Sequence, residues 1–344
     1  LPSKEETIIE VELTPLQKQI YRALYEKNAA YLLRKGAAKA SLNNLSMQLR
    51  KCCNHPFLIR GVADKYAEND FINCCGKMVL LDKLLPKLIK NGHKILIFSQ
   101  MIKVLDILAD YLDMRGMAFE RIDGGVRGRD RQISIDRFTN KGSKAKVFLL
   151  CTRAGGVGIN LMAADRVIIF DSDWNPQNDI QAMARAHRIG QTKDVKIYRL
   201  ITNKTYEHQM FLRASLKLGL DQAILTGAEG KDMTKNELEN LLKRGAYDLF
   251  RDNEDEDQQQ KAAAYNAENI EDILERSKVV TYDQGTHVEN QFSKATFAAG
   301  TSKEDEIDID DPDFWSKTIG LEMPRNSPIK LDRANRSARL KKVS

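Results

Sequence analysis

Between Gly76 and Leu200, short apolar runs alternate with amphipathic stretches, and no other feature of this 344-residue chain restricts its fold as much. Lys94–Phe98 (Lys-Ile-Leu-Ile-Phe) is a short apolar run suited to a strand buried on both faces. Further strands are expected at Phe119–Ile122, Val147–Leu150, Val167–Phe170 and Val195–Leu200. Helices are expected between them at Met78–Lys90, Val104–Arg115, Arg129–Phe138 and Asn178–Arg188. Strands and helices in this order make a parallel sheet covered by helices on both faces. Ligands of such sheets gather at the carboxyl ends of the strands. Those ends carry Ser99-Gln100, Asp123-Gly124-Gly125, the segment 152–160 and the segment 171–176.

The flanks read differently. A short strand is expected over 7–12, then a helix from Pro15 to about Asn28 with Thr14 as its N-cap. A second helix spans Leu42–Cys53 and ends before Pro56, which pushes its predecessor out of the α region. Residues 61–73 read as an irregular loop. After the sheet region, helices are expected at Tyr206–Leu225, Glu237–Leu242 and Asn269–Arg276. Charge divides the chain: residues 1–225 hold 36 basic against 23 acidic side chains, 226–324 hold 11 against 24, and 325–344 hold 7 against 1. Such a profile suits a polyanion-binding body followed by an acidic segment that folds back over it, held by aromatic anchors such as Phe314 and Trp315. A solvated acidic linker is the plainer alternative. The divisions expected are 1–72, 73–225, 226–324 and a basic, disordered 325–344.

No apolar run approaches the roughly 20 residues of a bilayer-spanning helix, so no membrane partner is expected. The chain starts without Met or a signal-like segment, as a piece of a longer protein would. Its five cysteines (Cys52, Cys53, Cys74, Cys75 and Cys151) are an odd number, which argues for reduced thiols in the nucleus or cytosol. His55 lies near two adjacent pairs, but C-C is not C-x-x-C and neighbouring helical side chains point apart. Packing thiols are expected, and no metal site.

Arg185 and Arg188 stand three residues apart, which on a helix places both guanidiniums on one face, a fork that suits a polyphosphate. A lone R-x-x-R is usually a solvated basic helix. Here it follows a loop with Gly155, Gly156 and Gly158, where backbone N–H groups can approach phosphate. Asp171 and Asp173 suit turn-shaping better than metal binding. Trp174 either packs on Pro176 or contacts a ligand, and His187 is as well explained by a structural bond as by catalysis.

Cys151–Leu161, the strand Val167–Phe170, Asp171–Pro176 and Gln181–Gln191 resemble, in this order, motifs V, Va and VI of the Snf2-type ATPases of helicase superfamily 2. Lys94–Gln100 resembles motif IV, and Arg121–Gly125 with Arg131 resembles the motif IVa region. Leu13–Tyr21 is similar to the end of a first lobe, and Arg50–Leu58 to the entry into a second. Leu241–Phe250 resembles the post-ATPase segment of chromodomain-helicase-DNA-binding remodelers. Ser293–Phe297 with Asp311–Trp315 is similar to their kismet-like subgroup.

The resemblance implies a RecA-like second helicase lobe with a helical N-terminal flank and a largely irregular acidic tail. It implies arginine fingers at Arg185 and Arg188 and nucleotide contacts at Gly158, Asn160 and Gln181. Many superfamily-2 helicases carry an acid where Asn160 stands; the amide is the Snf2-type choice. DNA contacts are implied for Gln100, Arg121, Gly124, Gly125, Arg131, Thr152, Arg153, Trp174 and Asn175. ATP is the implied cofactor, with Mg2+ held by a first lobe, since the chain has neither a G-x-x-x-x-G-K-[ST] loop nor a D-E-x-H box. Double-stranded DNA, nucleosomes, the first lobe and histones are the implied partners, in the nucleus. The alternatives are a lobe of another superfamily-2 helicase or a non-catalytic scaffold.

Overall fold

A computed structural model describes residues 1–32, 39–65, 71–126, 128–152, 159–223, 234–251, 264–265 and 267–282. Strand β1 is Lys4–Val11, followed by helices α1 (Pro15–Leu32), α2 (Lys39–Asn54) and α3 (Gly76–Lys90). The sheet region holds β2 (Ile95–Ser99), α4 (Ile102–Met114), β3 (Phe119–Ile122), α5 (Gly128–Thr139), β4 (Val147–Cys151), β5 (Arg166–Ile169), α6 (Pro176–Met183) and β6 (Val195–Thr202). Helices α7 (Tyr206–Ala223), α8 (Lys235–Arg251) and α9 (Ile270–Glu275) and strand β7 (Lys278–Tyr282) complete it.

The strands form one seven-stranded sheet in the order β3-β4-β2-β5-β6-β1-β7, parallel except for β7 against β1. Side chains alternate across each strand, so the two faces have separate cores. Ile95 and Ile97 join α3, α4 and α9 on one face, while Leu96 and Phe98 join α5 and α6 on the other. No helix of the described residues is long and apolar enough to cross a membrane.

Three features depart from the sequence reading. The first strand is not set apart in a 1–72 flank: β1 pairs along its whole length with β6, from Lys4↔Val195 to Val11↔Thr202. The tail is not largely irregular where it is described. Thr234 and Glu237 exchange capping bonds (3.3 and 2.9 Å) to start a 17-residue α8. Residues Ile270–Tyr282 dock α9 and β7 on α3 and β1, with Lys278 2.8 Å from Glu10. This docked part lies at the β1 edge of the sheet; the acidic run 252–257 and Phe292, Phe297, Phe314 and Trp315 fall outside the described residues. Finally, the N-terminal and post-sheet helices share one core. Leu13, Tyr21, Tyr25, Leu45 and Leu49 pack with Tyr206, Met210, Leu238 and Leu242, and Tyr25 Oη donates to the Leu242 carbonyl at 3.0 Å.

The joint between this helical unit and the sheet is polar and buried. Thr14 caps α1, its hydroxyl accepting from Gln17 N at 3.2 Å while Gln17 Oε1 accepts from Thr14 N. Gln17 also accepts from Gly76 N (3.0 Å) and donates to the Cys52 carbonyl (2.8 Å). A Cβ on Gly76 would lie 2.0 Å from the Glu12 carbonyl, so α3 must begin at a glycine. The thiols of Cys52 and Cys75 donate to the carbonyls of Gln17 and Asn54, and burial pushes the Cys75 thiol up to about 11.

His55 sits in the same joint. Its Nδ1 accepts from Phe57 N at 3.1 Å, so Nε2 carries the proton and donates to the Phe71 carbonyl at 3.0 Å. Burial lowers its pKa from 6.5 to about 4. The unfolded chain therefore takes up a proton before the folded one does. The resulting contribution is complete above pH 6.5 and is lost as pH falls toward 4, up to about 3 kcal/mol. Urea unfolding of wild type and His55→Gln should converge in stability as pH drops from 7 to 5. A constant gap across that range would contradict this assignment.

Candidate functional site

At the carboxyl ends of β2, β4 and β5, the Asp171 carboxylate ties neighbouring strand ends together. It accepts from Ser99 Oγ (2.5 Å), Gln100 N (3.1 Å) and Arg50 Nη2 (3.4 Å). Burial raises the Asp171 pKa, and the Arg50 and Lys77 cations oppose that rise. Beside it, Gln100 Nε2 and Thr152 Oγ1 are buried with no hydrogen-bond partner among the described residues. Buried polar atoms are rarely left unpaired, which keeps this pair among the candidate contacts.

The loop after β5 is shaped by its acids. Asp173 accepts from Asn175 N (2.9 Å) and Asn178 Nδ2 (3.0 Å), and Asp173 N donates to Asp179 (3.2 Å). Arg199 on β6 anchors the far side, donating to Asp179 (2.6 Å), Ser172 Oγ (2.9 Å) and Glu6 of β1 (2.7 Å). Asn175 caps α6, accepting from Gln177 N at 3.2 Å. Trp174 is half-buried and packs on the helical cluster of α1, α2, α7 and α8.

Helix α6 stops at Met183, five residues short of its expected end. The chain tightens there into i→i+3 bonds, Arg185 N to the Ala182 carbonyl (3.1 Å) and Ala186 N to that of Met183 (3.2 Å). Arg185 and Arg188 therefore leave a turn rather than one helix face. Arg185, half-buried, has its pKa lowered by desolvation and then by the positive charges of Arg188 and of Arg131 on α5. Arg185 and Arg188, three residues apart on this turn, offer two guanidiniums that suit a polyphosphate.

Gln191 holds this turn. Its Nε2 lies 3.0 Å from the carbonyls of Met162, Ala164 and Ala186, and its Oε1 accepts from the N–H groups of Thr192 (2.9 Å) and Lys193 (3.1 Å). Leu161 N donates to the Arg185 carbonyl at 3.2 Å, fastening the loop after β4 to the arginine turn. His187 Nε2 bonds the Pro2 carbonyl at 2.9 Å, a structural contact. Sequence reasoning marked Gln191 as part of a signature but missed the clamp, since two of its five bonds reach back to Met162 and Ala164 and leave no pattern in spacing.

The remaining candidates are dispersed. Arg121 is bound to Asp106 and Asp123, each at 2.7 Å. Gly124 and Gly125 form the turn after β3, where Gly125 N donates to Asp123 at 2.9 Å. Asn160 is exposed and accepts from Met162 N at 3.2 Å, and Gln181 is exposed on α6. Arg153 and Gly158 lie outside the described residues. Among the described residues no group of three or more His, Cys, Asp or Glu is arranged for a metal ion.

Comparison with known proteins gives the family. Residues 76–190 match the family described as Helicase conserved C-terminal domain, and residues 1–58 match the SNF2-related domain. Chromodomain-helicase-DNA-binding protein 7 of Gallus gallus is 52% identical over 343 residues, covering 92% of this chain and 11% of the relative. Chromodomain-helicase-DNA-binding protein 6 of Rattus norvegicus is 53% identical over 342 residues, covering 92% and 12%. The chain thus spans a small fraction of these relatives. The C-terminal part of the Fun30 ATPase domain superposes with a TM-score of 0.57 at 30% identity, over 73% of this chain and 99% of that one. The Sulfolobus solfataricus SWI2/SNF2 ATPase core in complex with dsDNA gives 0.54 at 29% identity, over 63% and 45%.

Proposed function

This chain belongs to the SNF2-related ATPases, in the kismet-like subgroup of the chromodomain-helicase-DNA-binding proteins, and from that premise we propose that it is the second lobe of a DNA-translocating, nucleosome-sliding ATPase. The observation that carries the reading is the turn bearing Arg185 and Arg188, tied by the bond from Leu161 N to the Arg185 carbonyl to the loop end at Asn160-Leu161. ATP, with Mg2+ ligated by the first lobe, supplies the phosphoanhydride to be cleaved. Arg185 and Arg188 donate to oxygens where charge develops during its cleavage. The Gln191 clamp holds them there, so the charge is met without reorganisation. Gly158, Asn160 and Gln181 complete the nucleotide face. Gln100, Thr152, Arg153, Trp174 and Asn175 face duplex DNA, joined by Gly124 and Gly125. Closure of the two lobes couples hydrolysis to stepping along DNA.

Arg131 and Arg121 take unequal parts. Arg131, electrostatically linked to Arg185, serves phosphate on the nucleotide side as well as DNA. Arg121 acts through Asp123, whose carboxylate fixes the Gly124-Gly125 turn. The protein works in the nucleus on nucleosomal DNA, with histones as neighbours.

DNA-stimulated phosphate release tests the proposal. The full-length protein should turn over ATP, and the 344-residue chain alone should release none above background, because the chain has no phosphate loop. Turnover by the chain alone would contradict the assignment of lobes. A strand-displacement assay separates a translocase from a strand-separating helicase, and a full-length protein without ATPase activity would be a scaffold.

Trp174→Ala divides the two roles of its ring. A groove contact predicts intact basal ATPase but roughly tenfold weaker DNA stimulation, with sliding lost, the scale of one aromatic contact to nucleic acid. Equal losses with and without DNA would assign the ring to packing on the helical cluster.

A further inference from the structure

A cleft of about 470 Å³ lies where the carboxyl ends of β1 and β6 meet the docked segment that carries α9 and β7. Ile8 and Glu12, Asn203 after β6, and Tyr265 all line it. Its outer wall is fixed, because Lys83 on α3 donates to the carbonyls of Tyr265 (3.0 Å) and Glu268 (2.7 Å). Two acids of the lining are neutralised, Glu268 by Arg276 (2.9 Å) and Glu10 by Lys278 (2.8 Å). Glu12 differs: its Oε1 accepts from Asn203 Nδ2 at 3.2 Å, but it makes no ion pair among the described residues. Tyr265 is only 4% exposed, yet its Oη has no hydrogen-bond partner among the described residues. Buried polar atoms are rarely left so. Burial raises the Tyr265 pKa, the Arg276 cation opposes the rise and the Glu12 carboxylate adds to it, so the phenol keeps its proton.

We propose that this cleft is a binding site for a primary ammonium carried on an alkyl stem. The site does not depend on the function proposed above. Glu12 supplies a negative charge still to be met, and Tyr265 Oη supplies a lone pair within the same cleft. An ammonium brings three donors on a rotatable head, so it meets the free oxygen of Glu12 and the phenol together. A guanidinium fits less well, because its flat fork takes both carboxylate oxygens and Asn203 already holds one. Ile8 gives the stem an apolar wall, and the volume falls in the range of small-ligand pockets. A lysine side chain of a peptide and a free polyamine share this chemistry.

Calorimetric titration of the full-length protein tests the site with two probes, the peptide Gly-Gly-Lys-Gly-Gly with both ends blocked, and spermidine. Binding should weaken roughly tenfold in Glu12→Gln and roughly fivefold in Tyr265→Phe, the scale of one charged and one neutral hydrogen bond. The probe that loses affinity in both variants identifies the source of the ammonium. Acetylating the peptide lysine removes its charge, so the acetylated peptide should bind wild type and Glu12→Gln alike. Both variants should melt with wild type, since glutamine keeps an acceptor for Asn203 and the lost hydroxyl had no internal partner. A lowered melting temperature in Tyr265→Phe would show a hydroxyl paired inside the protein and would overturn the site. Failure of both probes to bind, or binding indifferent to both substitutions, would leave the cleft to water and overturn it as well.

Discussion

Replacing Arg185 or Arg188 by alanine in the full-length protein should lower kcat by roughly 10²–10⁴ and leave DNA affinity nearly unchanged. The size follows from where these groups act. A guanidinium that meets charge only as it develops contributes to the transition state and not to ground-state binding, so the loss appears in kcat. Arg185 should be the more sensitive. It is half-buried and its backbone carbonyl is bound to Leu161 N, so its place on the turn is fixed, whereas Arg188 is exposed. Lysine should rescue poorly at either position, because an ammonium lacks the planar fork. Steady-state kinetics with saturating DNA decide the matter, and near-normal turnover in both alanine variants would remove the finger assignment.

Glu207→Ala should be the most damaging single change to stability, costing about 3–5 kcal/mol. Lys77 is completely buried, and its ammonium donates to Glu207 (2.6 Å), Asn54 Oδ1 (3.0 Å) and the Phe170 carbonyl (2.8 Å). Glu207 also accepts from the N–H and hydroxyl of Thr202, at 2.9 and 2.7 Å. Removing it leaves a cation without its counter-charge inside the protein, with two donors unpaired. The loss approaches the total stability of many domains, about 5–15 kcal/mol. It also reaches the site, since Phe170 leads directly into the Asp171–Trp174 loop. Urea unfolding should show Glu207→Gln as an intermediate case. The double variant Lys77→Met/Glu207→Leu should recover much of the loss, because apolar side chains of similar volume carry no buried charge. A loss under about 1 kcal/mol for Glu207→Ala would mean that water reaches this pair.

The sheet strands were legible because burial on both faces forces unbroken apolar runs such as Ile95–Phe98 and Val147–Leu150. The edge was not. Strand β7 (Lys-Val-Val-Thr-Tyr) sits inside an acidic segment and gains its identity only by pairing with β1, more than 260 residues earlier, as at Lys278↔Ile8. Helix α8 reads short in sequence because Gly245 penalises a helix interior. In the structure that glycine admits the backbone of Tyr206, whose N would lie 2.8 Å from a Cβ there. The reverse happened at α6, where good helix formers run on to Arg188 but the Gln191 clamp and the Leu161 bond pull the chain into a turn. Spacing singled out Arg185 and Arg188 as candidates while misjudging the backbone geometry that joins them. The charged links Arg199–Asp179 and Lys77–Glu207 were invisible, since tertiary pairing leaves no local pattern.

The most direct test is a structure of the full-length protein on duplex DNA with ADP and beryllium fluoride in the cleft. The account predicts guanidinium nitrogens of Arg185 and Arg188 within about 3 Å of the fluorides that stand for γ-phosphate oxygens, a charge-assisted hydrogen-bond distance. Both side chains turned to solvent in a closed, DNA-bound state, with other cations on the fluorides, would contradict it.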